Sequence, residues 1–68
     1  MSDIDALKAD IKKLSAKAID MKMNLHDLAE DLPTNWANIM AVAQKTFDAF
    51  KALDDARKSL KDAEAQAA

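Results

Sequence analysis

The chain has 68 residues, a formal net charge of −2, 50% hydrophobic residues, no cysteine, no glycine and one proline. Its length allows one small domain, residues 1–68. The lack of cysteine excludes disulfides, thiolate metal sites and iron–sulfur ligation. The near-neutral charge gives no bulk attraction to nucleic acid or anionic lipid. Met1-Ser2-Asp3 leads on with no apolar h-region, and no apolar run approaches the ~20 residues of a membrane span. No signal peptide or membrane span is therefore expected, and the lack of cysteine is compatible with a reducing cytosol.

From Ile4 an apolar residue recurs every three, then four, positions: Ile4, Leu7, Ile11, Leu14, Ala18, Met21, Leu25 and Leu28. This alternation is the pattern of a helix laid along another helix. It predicts helix 1 over about 3–31, with Ser2 or Asp3 as N-cap and Asp5 complementing the positive end of the dipole. Leu32-Pro33 ends it, because a residue before proline is pushed out of the α region. The hinge is 32–35, with Thr34 or Asn35 capping helix 2 over about 36–64. The Ala65–Ala68 tail is expected to fray.

Helix 2 carries the stripe Trp36, Ile39, Ala43, Thr46, Phe50, Leu53, Arg57 and Leu60. Met40 and Phe47 flank it on one side, and Val42, Ala49, Ala56 and Ala63 on the other. Folding at Pro33 sets Leu28 against Ile39, Leu25 against Ala43, Met21 against Thr46, Ala18 against Phe50, Leu14 against Leu53 and Leu7 against Leu60. Large meets small at Ala18–Phe50 and Leu25–Ala43, as interdigitated packing requires. The fold class is all-α, an antiparallel two-helix hairpin. On this reading the alanine edge of helix 2 stays open as an apolar groove. A hairpin of this size buries too little to stand comfortably alone, so it dimerises into a four-helix bundle or docks on a larger partner. Arg57 falls on the seam, either snorkelling to pair with Asp10 or Asp54 or fixing a dimer register. Asp48, Asp55 and Asp62 with Lys51 and Lys58 read as a solvated, salt-bridged face.

No nucleophile–base constellation can be assembled, which argues against an enzyme and calls for no cofactor. His26 is the single histidine, and Glu30 lies one turn on. The pair could hold a metal ion, but one chain offers too few ligands, so His26 and Glu30 are weak candidates beside a surface role. Ile19 and Met23 lie one turn apart and off the seam. They are either scatter or a patch for a foreign partner, to which methionine is suited. The hinge-end residues Ile19, Met23, His26, Leu32, Trp36 and Met40 form the candidate partner-binding set. Trp36 is either its anchor or a plug for the bundle end.

The stretch Met23-Asn24-Leu25-His26-Asp27-Leu28-Ala29-Glu30-Asp31-Leu32-Pro33-Thr34-Asn35-Trp36, followed by Ala43, Thr46, Phe50, Leu53 and Leu60, is the most specific text in the chain. It resembles a family of small Rop-like helical-hairpin proteins encoded among nitrogen-fixation genes. The resemblance implies a bacterial cytosolic setting and a hairpin that is a homodimer when free. It also implies a nitrogenase partner: the molybdenum–iron protein, a cofactor-assembly protein, or an immature or inactivated form. The first functional expectation is a non-enzymatic accessory protein that covers apolar surface on that partner. The alternatives are a Rop-like RNA binder using Lys8, Lys12, Lys13, Lys17 and Lys22, or a metal or cofactor carrier using His26 and Glu30. RNA binding is the weaker reading, because that flank lacks aromatic groups and Asp10 and Asp20 dilute it.

Overall fold

The computed structural model describes residues 3–67. Helix α1 spans Asp3–Asp31 and helix α2 spans Ile39–Ala67, with a 3₁₀ turn at Trp36–Asn38 leading into α2. The two helices pack side by side in a rod of 51 × 14 × 13 Å. This is the all-α hairpin expected from the two ladders. Ser2 and the Asp3 side chain, the expected N-cap, lie outside the described residues, as does Ala68. Ala65–Ala67 continue α2 where fraying was expected.

The hinge departs from the capped entry read from the sequence. Asn35 makes no side-chain cap; it takes the left-handed conformation at φ 60°, which asparagine tolerates better than most residues. The Thr34 N–H donates to the Asp31 carbonyl at 2.9 Å, and the Asn38 N–H to the Asn35 carbonyl at 2.9 Å. The Leu32–Pro33 peptide is cis. These turns satisfy backbone groups that side-chain caps were expected to serve.

Every member of the α1 ladder from Ile4 to Leu28 is buried or half-buried. On α2 the seam keeps Ala43, Thr46, Leu53 and Leu60 of the expected stripe, while Trp36, Ile39, Phe50 and Arg57 are exposed. Its covered residues are Val42, Ala43, Thr46, Ala49, Leu53, Ala56, Leu60 and Ala63. Ala18, Ala49 and Leu53 form the core cluster, with Ile11, Leu14 and Met21 packed against it. The Thr46 hydroxyl lies 2.8 Å from the Val42 carbonyl and 3.2 Å from the Met21 carbonyl, which fixes the register with Thr46 opposite Met21. Ala18 therefore meets Ala49 rather than Phe50. The alanine edge read as an open groove is the inner seam. The physical reason is continuity. The alanine ladder runs unbroken from Val42 to Ala63, whereas the aromatic one meets Arg57, which is exposed. Small residues let the backbones approach closely, so a thin seam holds along the full rod.

Candidate interaction site

The turn of α2 that brings the alanines inward carries the larger side chains outward. Trp36, Met40, Phe47 and Phe50 are 68%, 79%, 64% and 41% exposed. With half-buried Ala43 they recur at alternating four and three residues, so they share one flank of the 3₁₀ turn and α2. Phe50 was expected against Ala18 and is instead part of this stripe. Ile39 and Leu32 extend the exposed apolar surface at the hinge end, and Ile19 and Met23 supply its α1 part.

The two sides of the hairpin can be told apart. A shallow groove of about 420 Å³ lies between Leu14, Lys17 and Met21 of α1 and Lys45, Asp48 and Ala49 of α2. That side is charged along both rims. At 100° per residue, Ile19 projects toward the other side from Lys17, Met23 points away from α2, and Phe47 and Phe50 project toward the other side from Lys45. Because Met21 stands opposite Thr46, Ile19 and Met23 stand level with Phe47. That side of the hinge half thus carries Ile19, Phe47 and Phe50 together with the exposed Lys22.

Of the residues singled out in the sequence, Ile19, Met23, His26, Leu32, Trp36 and Met40 are all exposed near the hinge. Phe47 and Phe50 were missed as members of such a face. The signal that could have found them is the second ladder itself, which parallels the alanine ladder and stops at Arg57. Two interleaved ladders on one helix mean two faces to cover.

The surface area measures the shortfall in burial. The chain exposes 5352 Å², whereas a compact monomer of its 7.4 kDa would expose roughly 4,200 Å². The excess of about 1,100 Å² exceeds the ~800 Å² each partner contributes to an ordinary protein–protein interface.

The polar candidates sit apart from a core. His26 Nε2 lies 3.3 Å from Glu30 Oε1, and His26 Nδ1 lies 3.7 Å from Asp27 Oδ1. Their donor atoms fall within 4.8 Å of one another, and all three residues are exposed. On α2 the outer face is laced by pairs: Lys51 Nζ to Asp55 Oδ2 at 2.8 Å and Lys58 Nζ to Asp54 Oδ2 at 3.0 Å. Asp54 therefore pairs with Lys58, not with Arg57 as one reading had it. The hydrogen bond from Lys51, reinforced by its charge, holds the Asp55 carboxyl below the ordinary carboxylate range. The same contacts raise Lys51, and Asp54 does so for Lys58. These groups are fully exposed, and they organise a solvated face. No helix among the described residues is long and apolar enough to cross a membrane.

Comparison with known proteins agrees with this architecture. A family model described as Rop-like matches residues 2–65. The chain is 68% identical to a UPF0437 protein of Azorhizobium caulinodans over 68 residues, covering 100% of this chain and 99% of that protein. It is 46% identical over 48 residues to a protein of Frankia alni described as lying in the nifX-nifW intergenic region, covering 71% of this chain and 58% of that one. Among solved structures, a DUF683-family protein from the cyanobacterium Cyanothece 51142 superposes with a TM-score of 0.84 at 47% identity, covering 87% of this chain and 97% of that one.

Proposed function

The chain belongs to the Rop-like family, and from that premise we propose that it is a non-enzymatic accessory protein of nitrogen fixation that binds a nitrogenase component. One relative is placed by its description between two nif genes, which supports the setting. The observation that carries the binding reading is the unpartnered apolar face of Trp36, Met40, Phe47 and Phe50 with Ile19. Exposed apolar patches of this kind mark interaction sites. Tryptophan and phenylalanine supply large contact area, and methionine adapts to irregular surfaces.

The mechanism is helix-in-groove recognition. A molybdenum–iron protein that is immature, cofactor-deficient or inactivated exposes apolar surface, and the hinge half of the rod lies across it. Trp36 and Met40, the most exposed of the set, make first contact; Phe47 and Phe50 extend the seam. Charged residues beyond Phe50 end it. Binding hides the partner's surface from water and from aggregation, and it demands no chemistry from this chain.

The test is capture from nitrogen-fixing cells with tagged protein, before and after nitrogenase inactivation. The expected result is co-purification of a nitrogenase component, lost with Phe47→Asp or Met40→Asp and kept with Ala52→Asp on the opposite side. Recovery of no nitrogenase component under either condition refutes the reading.

A further inference from the structure

We propose that the protein surface recognised by this face is apolar around a carboxylate, and that the carboxylate pairs with Lys22. The inference rests on the partner reading above and names the chemistry that the partner presents. Lys22 is exposed and stands between Ile19 and His26 on α1. The three recur at three and four residues, so they share one flank of the helix. Thr46 opposite Met21 sets the register, which puts Lys22 level with Ala43 and Phe47 on the same side of the rod. The ammonium therefore rises from within the apolar patch and not from its rim.

Nothing in the hairpin answers that charge. The residues three and four away along α1 are Ala18, Ile19, Leu25 and His26, and none is an acid. On α2 the same side of the hinge half carries Trp36, Met40, Ala43, Phe47 and Phe50, again without an acid. Among the described residues Lys22 forms no ion pair. On α2, by contrast, Lys51 and Lys58 each have an aspartate one turn away and hold it at 2.8 and 3.0 Å.

Burial turns this difference into selectivity. An occupant that covers Ile19 and Phe47 also covers the stem of Lys22 between them. Moving an ammonium out of water with no acceptor is costly, so a wholly apolar occupant is disfavoured. A carboxylate set in an apolar surface meets the ammonium where water is scarce and a charged hydrogen bond is strong. Lys22 thus discriminates among surfaces that the aromatic side chains alone would accept equally. A nucleic-acid backbone fits less well. It presents a charge at every nucleotide, whereas this side of the hinge half offers Lys22 alone among its lysines.

The test uses purified, cofactor-deficient molybdenum–iron protein as the probe, with each chain immobilised sparsely and binding measured across salt concentrations. Lys22 is exposed, so its substitution leaves the seam intact. Lys22→Glu should weaken binding about a hundredfold or more, and Lys17→Glu, on the groove side, should change it less than about threefold. Lys22→Met decides by its sign, because it keeps the stem and removes the charge. Against a paired carboxylate it strands that group, and binding should weaken about tenfold or more. Stronger or unchanged binding by Lys22→Met overturns the inference and leaves the proposed function standing. A carbodiimide, which condenses an amine with a carboxylate to an amide and takes up the water as a urea, should join Lys22 to an Asp or Glu of the probe. Cross-links confined to other lysines overturn the pairing. Single-stranded RNA whose binding is lost with Lys22→Glu, while the probe's is unchanged, assigns the lysine to phosphate and overturns it too. No binding of the probe by the unsubstituted chain refutes the partner reading and this inference with it.

Discussion

Leu53→Ala decides which ladder of α2 holds the hairpin together. Leu53 is 5% exposed and belongs to the core cluster with Ala18 and Ala49. Truncation removes about three methylene equivalents, worth roughly 2.4 kcal/mol in transfer terms. A residual cavity would add to that, but Ile11, Leu14 and Met21 are only half-buried and can collapse or admit water. The expected loss is therefore about 2–3 kcal/mol, the lower part of the range for such truncations. For a domain of this size each kcal/mol lowers Tm by about 4–8 °C. Far-UV circular dichroism with urea and thermal unfolding, at several protein concentrations, measures it. The Leu53→Ala loss should persist at every concentration. Phe50→Ala, which the sequence places on the same seam, should cost less than about 0.5 kcal/mol at high dilution, as surface changes do. Equal losses for the two variants at high dilution would refute the alanine-lined seam.

Asn35→Gly should be neutral or slightly stabilising and Asn35→Ala should cost about 1 kcal/mol, since the residue serves a left-handed backbone rather than a cap; urea midpoints give the answer, and a larger loss for glycine would restore the capping role. Thr46→Val should cost about 0.5–1.5 kcal/mol through loss of the hydroxyl contacts to Val42 and Met21, read from the same titrations. Asp55 has a folded pKa below its unfolded value, so its contribution is present above the ordinary carboxylate range and is lost as pH falls through the folded value. Asp55→Asn should flatten that part of the acid stability profile, and added salt should do the same. Lys51 is raised, so its contribution is complete at neutral pH and fades only above the ordinary lysine range.

The α1 half of the fold could be read directly, because that helix offers one uninterrupted ladder and every member is covered in the structure. α2 offers two. Weighing side-chain size alone favours the stripe with Phe50, whereas the fold follows the stripe that reaches farthest without a charged break, ending at Ala63. That single rotation explains why Trp36 and Met40 could be singled out as exposed while Phe47 and Phe50 were assigned elsewhere. Asn35 could not be read as left-handed, because the same residue type also caps helices, and only the closed hinge distinguishes the two. The pairing of Lys58 with Asp54 rather than Asp62 was likewise open, since both lie one turn away.

The hairpin divides its labour between two faces of α2. Shape is carried by a seam in which alanines alternate with Thr46, Leu53 and Leu60, and the exposed aromatics stand outside it. Trp36, Met40, Phe47 and Phe50 can thus be exchanged as a set to retarget the molecule while the scaffold beneath keeps its length, stiffness and bend.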